Sequence, residues 1–156
     1  MRAIVTSAAV CLFWCACRGP SIVIAHSEIS RLEVAEIRPE EGAALDRATT
    51  IRARVEYSLN DDTDRDKGSE VAGYRIALYF SGAADTQLVT LGEPHHIRMS
   101  DDSGSVKVSF PVKNILAMGD LRRPLVCFFA LEKVLVRGEG SPTCKIVART
   151  EDLEYR

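Results

Sequence analysis

The sequence predicts an all-β protein, a single antiparallel β-sandwich of about seven strands that follows an N-terminal signal segment. Several segments alternate apolar and polar residues with a period of two, which places one side of each strand in a core and the other in water. Short polar turns containing Gly, Pro, Asp or Asn separate these segments. No segment shows the apolar period of a long amphipathic helix.

The first two predicted strands lie near the start of the domain. Leu32–Ile37 forms a strand that stops at Pro39, where a polar turn begins. The next strand has apolar residues at every second position: Ile51, Ala53, Val55, Tyr57 and Leu59. Arginine, glutamate and serine fill the positions between, so one face of this strand is predicted to be buried and the other exposed.

The same alternation predicts two further strands, at residues 74–80 and 106–112. Leu125–Leu131 differs because it is apolar on both faces, as is typical of a central strand covered on both sides. Cys144–Ala148 follows a glycine-rich turn and is predicted to pair with it across a hairpin.

The N-terminus has the pattern of an export signal. Met1 and Arg2 precede an uncharged apolar run that extends to Cys17. Small residues at Ala25 and Ser27 favour cleavage that leaves residues 1–27 as the signal peptide and 28–156 as the domain. The alternative is a lipoprotein leader that ends before Cys17, whose acylation would tether the protein to a membrane. The predicted location is therefore secreted, periplasmic or cell envelope, with a lipid-anchored envelope protein as the alternative.

Composition limits the classes of partner. The chain has 20 basic and 22 acidic residues, and removal of Arg2 and Arg18 with the leader leaves 18 against 22, a formal charge of −4. No basic stripe of the kind that binds nucleic acid is present, and no polybasic face for a membrane surface. The remaining length suits one domain with its own core.

Two cysteines remain after the predicted cleavage, Cys127 and Cys144. They lie on either side of the polar segment 137–142, in the two strands of the predicted hairpin. Because export delivers a chain to an oxidising compartment, we expect them to form a disulfide, with two buried thiols as the alternative.

Three segments together resemble the immunoglobulin-like and fibronectin type III-like domains of exported bacterial proteins. They are Val34–Gly42, with its proline and glycine turn, and the alternating strands Ile51–Leu59 and Val106–Val112. The resemblance extends over nearly the whole mature chain and implies an immunoglobulin-like sandwich without implying an activity.

That resemblance also implies that three loops, residues 60–71, 100–104 and 133–142, gather at one end of the sandwich. In the first of them Asp62, Asp64 and Asp66 have the alternate-residue spacing of calcium-binding loops. A Ca²⁺ site is therefore one interpretation, and a solvated polar loop is the other. No other cofactor is predicted.

The sequence lacks the motifs expected of an enzyme, such as a nucleophile elbow, a zinc-protease helix or a phosphate-binding glycine loop. His95 and His96 are adjacent, so in a strand they face opposite sides. We therefore expect no catalytic residues and no enzymatic activity.

The leading functional hypothesis is an exported, non-catalytic binding module that contacts an extracellular or envelope protein. Tyr79 and Phe128 are its candidate contact residues because they point away from the face that carries Ile76 and Cys127, although a loop over Phe128 is an alternative. A carbohydrate-binding module, assisted by calcium at the acidic loops, is the second hypothesis. A structural accessory protein that works by β-strand addition is the third.

Overall fold

The computed structural model describes residues 30–60, 68–82, 88–89, 94–97, 102–117, 121, 123–138 and 140–156. In these residues the chain forms nine strands and one short helix. They are β1 (Arg31–Arg38), β2 (Thr50–Ser58), β3 (Glu70–Ser81), β4 (Leu88–Val89), β5 (His95–Ile97), β6 (Ser103–Pro111), α1 (Lys113–Leu116), β7 (Leu125–Val136), β8 (Thr143–Arg149) and β9 (Leu153–Tyr155). Within these ranges no helix has the length and apolar character needed to cross a bilayer.

The strands form two antiparallel sheets. The first has three strands in the order β1-β2-β6. The second is built on the long central pair β3 and β7, with β4 and β5 along the outer side of β3 and β8 and β9 along the outer side of β7. The prediction of an all-β chain with antiparallel sheets is confirmed.

One hydrophobic core joins the two sheets. Alternate residues of β2 and β6, among them Ile51, Val55 and Phe110, face alternate residues of β3 and β7 in a single buried cluster. The rings of Phe110 and Phe129 meet across the sheets, with their centroids 6.1 Å apart. The period-two pattern therefore has its predicted meaning, because the apolar member of each pair points between the sheets.

The predicted strands correspond to β1, β2, β3, β6, β7 and β8. β4, β5 and β9 were not predicted, since strands of two or three residues are too short to show a period. The central position of β7 is confirmed: Leu125, Cys127, Phe129 and Leu131 are buried on one face, and Phe128 and Ala130 are buried on the other.

The C-terminal residues pair with the segment that follows β1. The Gly42 amide donates to the Glu154 carbonyl at 2.7 Å, the Leu45 amide to the Arg156 carbonyl at 2.8 Å, and the Arg156 amide to the Ala43 carbonyl at 2.9 Å. Gly42 has a φ of +82°, which only glycine adopts readily. These hydrogen bonds connect the turn that follows β1 to β9, the last strand of the larger sheet.

Candidate functional site: a basic cleft on the three-stranded sheet

The outer face of the three-stranded sheet holds an open cleft of about 280 Å³. Six of its nine lining residues are polar, the other three being Ile37, Ala53 and Val108, and we call this group the basic cleft. The polar members are Glu36, Arg38, Arg52, Arg54, Lys107 and Ser109. Four basic groups against one acidic group give the basic cleft a formal charge of +3, on a chain whose total charge is −2.

Each strand places these residues on the outer face for a local reason. In β2 the arginines at 52 and 54 alternate with buried Ile51, Ala53 and Val55, so they must point away from the core. In β1 the pairing register shifts between Val34 and Glu36, and this β-bulge adds one residue. After the bulge Ile37 lies opposite Ala53, which faces the core. The two polar neighbours of Ile37, Glu36 and Arg38, therefore point outward.

The cross-strand register places like charges side by side. Arg38 of β1 lies directly opposite Arg52 of β2. Two residues further along β2, on the same face, Arg54 lies directly opposite Lys107 of β6. Like charges directly opposite each other destabilise a sheet. Two such pairs in neighbouring rows lower the stability of the free sheet. A local destabilisation of this kind is expected where a surface has a function.

The acid groups nearby balance only part of this charge. Arg54 donates from one terminal nitrogen to the Glu36 carboxylate at 2.8 Å, and its other terminal nitrogen lies 4.0 Å from Glu56. In the described parts of the chain no carboxylate lies within ion-pair distance of Arg38, Arg52 or Lys107.

The guanidinium of Arg54 also contains an unused donor. Its Nε is buried and has no hydrogen-bond partner, although the side chain as a whole is 39% exposed. A buried N–H that donates to nothing costs about 1–3 kcal/mol, and such a donor is usually satisfied by water, an ion or a ligand. The donor lies on the residue at the centre of the basic cleft.

The surface predicted around Tyr79 and Phe128 is buried, so the prediction that these two residues are exposed contacts is wrong. Both residues do point away from the main core, as expected, and their rings stack at 5.6 Å in a second buried cluster with Ala77, Ala130 and Ile146. Tyr79 is 6% exposed and Phe128 is 2% exposed. Arg149 covers the Phe128 ring, with its guanidinium carbon 3.8 Å from the centroid.

A buried polar network borders this second cluster. Glu132 is 1% exposed and accepts hydrogen bonds from Arg75 Nε at 2.6 Å and from the Tyr79 hydroxyl. Burial, followed by the hydrogen bond to Glu132, raises the pKa of Tyr79 far above its usual value, so the phenol keeps its proton. Burial lowers the pKa of Arg75, but the Glu132 carboxylate outweighs that effect and raises it.

The predicted disulfide is contradicted by the strand register. Cys144 lies opposite Val134 at the turn end of the hairpin, whereas Cys127 lies opposite Leu153 of β9. Seven residues of β7 separate these positions, which is roughly 23 Å at about 3.3 Å per residue. A disulfide requires Cα atoms within about 7 Å. Both cysteines carry thiols, and the hairpin does not align them because Cys144 is the second residue of β8 whereas Cys127 lies nine residues before the end of β7.

Several predicted sites lie outside the described residues. These are the leader 1–27 with the alternative lipidation site Cys17, and the candidate calcium ligands Asp62, Asp64 and Asp66. His95 and His96 are both exposed on β5. Among the described residues no group of three or more His, Cys, Asp or Glu side chains is arranged to hold a metal ion.

Searches against family models, curated proteins and solved structures found no match to this chain. The site is therefore defined by its geometry alone.

Proposed function

We propose that the protein is an exported, non-catalytic interaction module of immunoglobulin-like or fibronectin type III-like fold, which contacts an extracellular or envelope partner through the basic cleft. The observation that carries the proposal is the uncompensated charge of three cleft residues: in the described parts of the chain, Arg38, Arg52 and Lys107 have no carboxylate within ion-pair distance, whereas Arg54 pairs with Glu36 and Glu56. Binding to an anionic surface relieves the repulsion among these like charges, so complex formation gains free energy that the unbound sheet lacks.

The strand order supports the proposed fold type. With β1, β2 and β6 as strands A, B and E, and β3, β7 and β8 as C, F and G, the sheets follow the division found in immunoglobulin-like sandwiches. The export signal supports the proposed location, since residues 1–17 have the pattern of a secretory leader.

The first test is a charge reversal inside and outside the cleft. The double variant Arg52→Glu, Lys107→Glu changes the basic cleft from +3 to −1, because each reversal removes one positive charge and adds one negative charge. The matched control Lys113→Glu, Arg123→Glu makes the same charge change at two exposed residues that do not line the cleft. Each protein is immobilised and exposed to the extracellular and envelope fractions of the encoding organism, and retained proteins are quantified by mass spectrometry.

We expect the wild-type and control proteins to retain the same partner, and the cleft variant to retain it at least about tenfold less. Equal retention by all three proteins would refute the proposal. The variants must first show the wild-type unfolding midpoint, so that a lost partner reports on the surface and not on folding.

A second candidate, β-strand addition, is favoured by the edges of the same sheet. In the described residues β1 and β6 each pair along one side only, with β2. Strand addition draws its affinity mainly from main-chain hydrogen bonds. It therefore predicts that the charge reversal leaves retention nearly unchanged, and that a proline introduced at Ser105 in β6 reduces it.

A further inference from the structure

The basic cleft offers hydrogen-bond donors and almost no acceptors. Its guanidinium and ammonium groups are donors only, and Ser109 can add a hydroxyl. The one carboxylate, Glu36, already accepts from Arg54. A neutral sugar needs acceptors as well as donors, so it fits this lining poorly, whereas a ligand that only accepts hydrogen bonds fits it well.

The spacing of the charges suits one compact group. Neighbouring strands are about 4.8 Å apart, and alternate residues on a strand are about 6.7 Å apart. The backbones that carry Arg38, Arg52, Arg54 and Lys107 therefore lie at most about 12 Å apart on three adjacent strands. Side chains of this length can converge on a single anion, and the planar guanidinium fork matches oxyanions with two parallel hydrogen bonds.

We infer that the basic cleft is a binding site for a doubly charged phosphoryl group, of the kind that a phosphate monoester presents. This inference rests on the proposed function and names the chemistry of its partner. A phosphate monoester carries a charge of about −1.5 to −2 and three strongly accepting oxygens. It compensates most of the +3 charge, while a single carboxylate compensates only one unit. The buried Nε–H of Arg54 is the donor that the unbound cleft leaves unsatisfied.

The test uses glycerol phosphate as the probe and nuclear magnetic resonance as the readout. The protein is produced in an exporting host, labelled with nitrogen-15 and titrated at constant ionic strength. We expect saturable shifts of the Arg54 Nε–Hε signal and of the amides of residues 52–54 and 107–109. Substitution Arg52→Gln or Lys107→Gln is expected to weaken binding about tenfold each, whereas Arg123→Gln, outside the cleft, leaves it unchanged.

Acetate tests whether one negative charge is enough for binding, and inorganic sulfate controls for the effect of pH on the protein. We expect acetate to bind at least about tenfold more weakly than glycerol phosphate, since it has one charge. Between pH 7.5 and pH 5 the affinity for glycerol phosphate is expected to fall, because its second ionisation lies near pH 6. Sulfate stays doubly charged over this range and is expected to keep its affinity.

Three results would overturn the inference. The first is the absence of saturable shifts with glycerol phosphate, and the second is binding that survives both glutamine variants. The third is acetate binding as tight as that of glycerol phosphate, which would mean that the cleft does not need a doubly charged group. Phosphatase treatment of the retained partner separates this inference from the proposed function. If the treated partner still binds the wild-type protein and not the charge-reversed variant, the interaction module stands and the phosphoryl ligand does not.

Discussion

At the scale of single residues, the clearest stability contribution outside the core comes from Glu132. This carboxylate is almost completely buried, yet it lies on a sheet face and accepts hydrogen bonds from both Arg75 and Tyr79. A fold can keep a buried charge only when hydrogen bonds and an opposite charge compensate it. The removal of the carboxylate would leave two donors near an apolar cluster without an acceptor.

We therefore expect Glu132→Ala to lower the free energy of unfolding by about 2–4 kcal/mol, measured by urea unfolding. Glu33→Ala is the matched control, since it removes an exposed glutamate paired with exposed Arg31 and is expected to cost less than about 1 kcal/mol. The double variant Arg75→Met, Glu132→Leu is expected to recover part of the loss, because no unpaired buried charge remains. A loss at Glu132 no larger than the loss at Glu33 would contradict the network.

Cys127 gives a second prediction at this scale. Burial, and to a smaller degree the charges of Asp152 and Glu41, raises the pKa of Cys127 to about 12. The raised pKa favours folding below the usual thiol pKa, and this contribution is lost as the pH rises toward about 12. At pH 8.5 the folded protein should therefore resist alkylation at Cys127, whereas unfolding in urea should make it react. Peptide mapping by mass spectrometry locates the label, and rapid labelling of Cys127 in the folded protein would refute the prediction.

At the scale of elements, the C-terminal strand β9 has more influence than its three residues suggest. Tyr155 is fully buried in the core, and its hydroxyl donates to the Pro39 carbonyl at 3.1 Å. The backbone on both sides of it pairs with residues 42–45. The strand thus links the exit of β1 to the edge of the larger sheet, and with it the end of β1 that carries Arg38.

Two substitutions at Tyr155 separate its contributions. Tyr155→Phe removes only the hydrogen bond and is expected to cost about 1 kcal/mol. Tyr155→Ala also leaves a cavity between the sheets and is expected to cost about 3–5 kcal/mol. Urea unfolding measures both, and equal costs for the two variants would show that the ring does not pack as described.

At the scale of the whole molecule, the all-β class and the longer strands were predictable from the sequence, and the basic cleft was not. Alternation in β2 and β6 identified their buried faces because each strand is long and has one wet face. In β3 it identified the face that lies in the main core, but Ala77 and Tyr79 on the opposite face are buried as well. The basic cleft depends on which strands are neighbours and in what register, and one sequence does not contain this information. A partial signal was present in β1. Leu32 and Val34 are apolar at even-numbered positions, whereas Ile37 is apolar at an odd-numbered one. This change indicates one extra residue between Val34 and Ile37, and it therefore places Glu36 and Arg38 on the outer face.

The unequal spacing of Cys127 and Cys144 from their turn explains the wrong disulfide and gives the last prediction. Cys127 lies ten residues before the segment 137–142 and Cys144 lies two residues after it, so a hairpin about this segment does not bring them opposite each other. The part of β7 that holds Cys127 pairs with β9 and not β8. A disulfide that closes a loop of this size would contribute about 3 kcal/mol, so its presence would be evident on reduction. We expect a chain that begins at Glu28, and so lacks Cys11, Cys15 and Cys17, to show the same urea midpoint and the same mass with and without reductant. A lower midpoint together with the mass gain of a reduced disulfide would mean that β7 and β8 pair in a different register. Such a shift would also move every cross-strand contact of Glu132 along this hairpin.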